Sequence, residues 1–145
     1  MATHEPELDD LLDSATEVAR SGTGSGGPPR DDVRGLLASY YRHVPVEDLA
    51  DRSPADVFGA LASHYRLAAE RPQGTAAVRV LTPTVADHGW SAGGHSVVEI
   101  VVDDMPFLVD SVTMELGGRR HDVHLVVHPH IDVERDITEI GRAHV

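Results

Sequence analysis

From Val97 to Asp136 the chain reads VVEIVVDDMPFLVDSVTMELGGRRHDVHLVVHPHIDVERD, and this stretch restricts the fold more than any other. Ser96–Asp103 sets Val97, Glu99 and Val101 against Val98, Ile100 and Val102, the period of a strand with one mixed and one apolar face. An acidic turn follows. Pro106 suits a first helical position, and Met105, Leu108, Val109, Val112 and Leu116 then line one side of a helix that Gly117-Gly118 stops. Asp122–Ile131 returns to period two, with Val123, Leu125 and Val127 opposite His124, Val126 and His128. Strand, helix, strand predicts a βαβ crossover, which requires a sheet to join its two strands.

The chain upstream is helical in pattern. Glu7–Arg20 spaces Leu8, Leu11, Leu12, Ala15, Val18 and Ala19 as an amphipathic stripe, so residues 1–20 are expected to form one helix. SGTGSGGPP at Ser21–Pro29 breaks the period, and 21–30 reads as a flexible linker. The first helix is therefore expected to be an appendage whose partner lies elsewhere. Within 31–74, Asp31 and Asp32 are candidate caps for a helix through Val33, Leu36, Leu37, Tyr40 and Tyr41. Ser53-Pro54-Ala55-Asp56 is a stronger start: a hydroxyl N-cap, a proline at the first position and an acid at the positive end. Val57, Leu61, Tyr65 and Ala68 keep helical spacing until Arg71-Pro72 and Gly74. From Thr75 the period changes to a strand over Ala76–Pro83 and a turn at Asp87-His88-Gly89.

Charge excludes two partner classes. With 12 basic and 24 acidic residues the net charge is −12, which repels nucleic acid and anionic membrane surfaces. Without cysteine there is no disulfide or thiolate metal site. No secretory signal or membrane-spanning run is present, and a cytoplasmic protein is expected.

Four patterns could carry chemistry. Gly89-Trp90-Ser91-Ala92-Gly93 matches the G-x-S-x-G elbow, but a strand rather than a helix follows it, so a glycine-rich connection with Trp90 folded onto the core is expected. The glycines of 21–27 lack both the preceding strand and the Lys-Ser/Thr of a phosphate loop. His124, His128 and His130 share one face of an extended chain and are the weak candidates for a metal such as zinc, although Pro129 interrupts them; a half-exposed sheet face is the expected role, and no metal is assigned. Asp103, Asp104 and Asp110 cluster at a helix start, where acids are stabilised by free N–H groups and the helix dipole.

Asp103–Ser111, then His128-Pro129 and Val133-x-Arg135-Asp136, with weaker parts at Tyr40-Tyr41, Asp48-Leu49, Arg71-Pro72 and Trp90, together resemble the N-terminal ACT-like region of the large bacterial NAD-specific glutamate dehydrogenases. The resemblance covers roughly Gly35 to Asp136. It implies an α+β fold: N-terminal helices followed by a partial ACT-like, ferredoxin-like βαββαβ domain over 75–138, truncated after its first βαβ. It also implies a parent enzyme that oxidatively deaminates L-glutamate to 2-oxoglutarate and ammonia with NAD, in a catalytic domain absent from this chain. Such enzymes are far longer, so the chain is expected to stop within a folding unit and to be marginally stable. Residues 139–145 (EIGRAHV) do not continue the family's pattern and are expected to be a non-native tail, similar to a translated sequencing adapter. In ACT modules the first βα turn often holds an amino-acid effector. On that ground Asp103, Asp104, Met105, Pro106, Asp110 and Ser111 are the candidate effector-binding residues. Other domains of the parent chain and further copies of it are the implied partners, and NAD belongs to the parent alone. The alternative is a stand-alone ligand- or metal-binding ACT-like module.

Overall fold

The computed structural model describes residues 4–22, 27–103, 107–129, 134–135 and 143–144. Its helices are α1 (His4–Ser21), α2 (Val33–Tyr40), α3 (Val46–Leu49), α4 (Pro54–Glu70), α5 (Val85–His88) and α6 (Leu108–Gly118). Its strands are β1 (Ala77–Leu81), β2 (Val97–Val101), β3 (Glu134–Arg135) and β4 (Ala143–His144). Helices α1–α4 come before the first strand, and the strands pair antiparallel, so the α+β class expected from the sequence stands.

The core sits in the first half. Leu12, Ala15 and Ala19 of α1 meet Val33, Leu36, Leu37 and Tyr40 of α2, Leu49 of α3, and Val57 and Leu61 of α4. Each fully buried Leu or Val contributes about 1.5–3 kcal/mol over its exposed state, and these side chains supply most of the fold's apolar burial. The expectation that α1 is an appendage is therefore corrected: its apolar stripe lies on α4, α2 and α3. Asp9 and Asp13 of α1 also hold Arg34 of α2 at 3.2 and 2.8 Å, exposed bonds that fix register more than they stabilise.

Local signals explain the helix ends. Ser53 Oγ accepts from the Asp56 N–H at 3.2 Å, with Pro54 at the first helical position, as its sequence predicts. Arg71 leaves α4 with extended backbone (ψ 125°), the conformation that a following proline enforces. The capping role expected of Asp31 and Asp32 is corrected. Both lie in a 3-10 turn (Arg30–Asp32), and Asp32 stands at the start of α2 without a side-chain capping bond. The turn at Asp87-His88-Gly89 is the end of α5, capped by Thr84 and closed by Gly89 at φ 79°.

β1 and β2 form an antiparallel pair in the register Val78↔Ile100, Arg79↔Glu99 and Val80↔Val98. β3 and β4 form a second, two-residue pair, Glu134↔His144 and Arg135↔Ala143. The crossover expected after α6 does not close. Residues 121–129 form no strand, although their exposure alternates: Leu125, Val127 and Pro129 are half-buried, while His124, Val126 and His128 are exposed. Side-chain period survives because Leu125 and Val127 rest on the core. The ladder does not, because a strand needs a neighbouring backbone, and among the described residues none pairs with this one.

Candidate functional site

The mixed face of the sheet, not its apolar face, lies against α4. Glu99 is only 3% exposed and receives Arg79 Nε at 2.7 Å; Arg79 Nη2 also donates to Ser63 O and Oγ of α4, both at 2.8 Å. A buried carboxylate is tolerable only when paired and hydrogen-bonded, and Arg79 and Ser63 meet that condition. The same helix reaches β2 through His64. Its Nε2 lies 3.1 Å from the Ile100 carbonyl, which can only accept, so Nε2 carries the hydrogen. Nδ1 then accepts from the Tyr40 hydroxyl at 2.8 Å. Burial, then the nearby Tyr41 and Glu99, raise Tyr40 well above the ordinary phenol value and keep it a donor. Burial likewise raises Tyr41, whose hydroxyl donates to Val57 O at 2.6 Å.

These contacts deliver β2 to the acidic turn. Asp103, at the head of the turn, pairs with Arg71 Nη2, while Arg71 Nε donates to Thr75 O. The Arg71 side chain is 5% exposed and that of Asp103 is 66% exposed. Asp103 is thus already engaged by a buried guanidinium. Asp104, Met105 and Pro106 lie outside the described residues. Phe107 starts α6 at φ 64° with its ring exposed, a left-handed conformation that costs an L-residue about 1 kcal/mol or more. Asp110 is exposed in the first turn of α6, and the Ser111 N–H donates to Phe107 O at 2.9 Å. The turn borders a broad open cleft whose walls include Tyr65 and Arg71 of α4, Ile100 of β2, and Leu108 and Leu116 of α6. Among the six candidate effector residues, then, the structure joins Asp103 to the body, leaves Asp110 open to solvent, and uses the backbone of Ser111 to start a helix.

Among the described residues, His124 and His128 each pair with a different histidine rather than with one another. His124 lies against His95 (ring centroids 4.4 Å apart), and His128 stacks on His43 at 5.8 Å. His130 lies outside the described residues. Among the described residues no group of three or more His, Asp or Glu side chains converges on a point that could hold a metal ion.

The G-x-S-x-G stretch has no elbow. Ser91 N–H donates to Asp56 Oδ1 at 2.8 Å, and Ser91 Oγ accepts from Gly93 N–H, so the loop is pinned to the start of α4. Trp90 is buried on Gly59: a Cβ at residue 59 would stand 2.2 Å from the Trp90 Cγ. Sequence reasoning places Trp90 on the core and misses its seat. A glycine inside an otherwise good helix was the available signal. Arg79 and Glu99, single charges of opposite sign inside consecutive apolar strands, were the signal for the buried pair. Among the described residues no helix is long and apolar enough to cross a membrane.

Comparison with known proteins points to one family. The family described as glutamate dehydrogenase, ACT1 domain, matches residues 36–143, a span that includes the turn and its Arg71 anchor and takes in part of the stretch expected to be non-native. The NAD-specific glutamate dehydrogenase of Halomonas elongata is 40% identical over 97 residues, which is 67% of this chain and 6% of that protein. The NAD-specific glutamate dehydrogenase of Pseudomonas aeruginosa is 33% identical over 96 residues, 66% of this chain and again 6% of the relative. No solved structure matches. The chain spans a small part of the curated relatives it resembles, and it belongs to the glutamate dehydrogenase ACT1 domain family.

Proposed function

We propose that this chain is the N-terminal regulatory or architectural segment of an NAD-dependent glutamate dehydrogenase, an oxidoreductase of amino-acid catabolism that converts L-glutamate to 2-oxoglutarate and ammonia with NAD in the cytoplasm. The observation that carries it is the family match over residues 36–143, with two NAD-specific glutamate dehydrogenases aligned to two thirds of the chain. Hydride transfer and NAD binding belong to other parts of the enzyme. The ACT1 segment contributes allosteric control, binding an amino-acid effector at the turn that Arg71 anchors. Phe107 and Asp110 are exposed beside the cleft, and the first-turn N–H groups of a helix such as α6 suit a carboxylate. With Asp103 held by Arg71, Asp110 is the acid open to an effector's ammonium group.

Two measurements test this. The polypeptide encoded by the complete gene should reduce NAD in the presence of L-glutamate, and the 145-residue chain alone should not; a full-length product without that activity refutes the enzyme assignment. Calorimetric titration of the chain with amino acids should give heat that Asp110→Asn abolishes. A flat trace for every amino acid would leave only the architectural role.

A further inference from the structure

The β1–β2 sheet is turned so that its charged pair faces α4 and its valines face outward. Val78 and Val80 of β1 are 62% and 65% exposed and Val98 of β2 is 40% exposed, and the register sets Val80 directly beside Val98. A sheet with one wet face ordinarily keeps polar residues on that face. Here the wet face is the apolar one, so it is built to be covered. We propose that this valine face is the docking surface for an apolar patch on another domain of the same long polypeptide. The inference rests on the reading that the chain is one segment of a much larger enzyme, and it names the surface through which that segment is held.

Two observations select a tethered domain over a free partner. The valine patch is small, roughly a few hundred Å², whereas a stable free complex needs about 800 Å² on each side. A second copy would also bring another net −12 against this one, and the repulsion opposes self-association. A domain on the same chain escapes both limits, because tethering supplies a local concentration near the millimolar range and a small apolar contact then suffices. In the curated relatives the matched region is 6% of the length, so neighbouring domains are available to fill the role. Since the chain is acidic overall, the covering surface is expected to be apolar with a neutral or basic rim.

Carbene footprinting, which labels exposed aliphatic side chains, tests the proposal on the 145-residue chain and on the longest polypeptide its gene encodes. Val78, Val80 and Val98 should label strongly in the short chain, and labelling should fall at least fivefold in the long one. Val80→Lys in the long polypeptide should restore labelling at Val78 and Val98. Equal labelling in both polypeptides would overturn the proposal, as would a gene that encodes no further domain. Protection already present in the short chain would also overturn it: with a doubled mass by light scattering the occupant is a second copy, and with an unchanged mass it is α6. Long-chain protection without glutamate-dependent NAD reduction would keep the docking face and reject the enzyme assignment.

Discussion

The helical body (α1 to α4) and the segment from β1 to residue 129 respond differently to the same apolar patterning. In the body, residues at helical spacing are buried: Leu12, Ala15, Leu37, Leu49, Val57 and Leu61 all reach the core. In the later segment the patterning is equally regular, yet α6 has no buried residue and three valines of the sheet face water. The difference lies in partners. A helix stripe is satisfied by two or three neighbouring helices, and α1 has α4, α2 and α3 against it. A two-stranded sheet has two faces and two edges and is marginal without further strands or a second layer. Regular patterning therefore specifies which way a side chain points, while the number of elements within reach decides whether it is buried.

The largest expected effect sharpens that contrast. Leu61→Ala in the body should lower unfolding free energy by about 3 kcal/mol, whereas Leu116→Ala in α6 should change it by about 0.5 kcal/mol or less; urea titrations of both variants measure the ratio. Comparable losses would show that α6 is seated as firmly as the body.

Gly59→Ala should cost about 2 kcal/mol, because the new methyl would overlap the Trp90 ring and force it off the helix. Trp90 fluorescence should shift to the red in the same variant, separating loss of its seat from general unfolding. Next in size is the buried pair. Glu99→Gln should cost about 1–2 kcal/mol by leaving Arg79 with a neutral partner, less than for a fully buried pair because Arg79 is 39% exposed on its side chain. Its thermal midpoint should fall, with the helical circular dichroism of the folded state unchanged.

The smallest effect is set by pH. Burial raises Tyr40 and Tyr41 above the ordinary value of 10.0, so above pH 10 the unfolded chain loses these protons before the folded one does. The folded state then binds more protons, and stability falls as pH rises past 10. Tyr40→Phe should flatten that decline between pH 10 and 11, although it also removes the hydroxyl from His64. An unchanged alkaline slope would mean that Tyr40 is not shielded.

Much of this was legible in the chain. The Ser53-Pro54-Asp56 start of α4 and the strand periods at 77–81 and 97–101 follow from local rules, and local rules need no knowledge of neighbours. What escaped the sequence was long-range. Nothing local says that Arg71 takes Asp103, 32 residues away, or that His64 reaches the Ile100 carbonyl. The alternation at 122–129 correctly gives the side-chain directions but not the missing ladder, which depends on a neighbouring strand. Asp103 was legible only as one acid of a helix-start cluster for the same reason: its partner is set by the packing of α4 on β2.

Residue-resolved amide hydrogen exchange on the 145-residue chain tests the contrast most directly. Amides of α1, α2 and α4 should exchange only through global unfolding, and those of α6 and residues 121–129 should exchange at least about a hundredfold faster. Uniform slow exchange from α1 through residue 129 would contradict the account, since it would require the later half to be closed and supported by this chain alone.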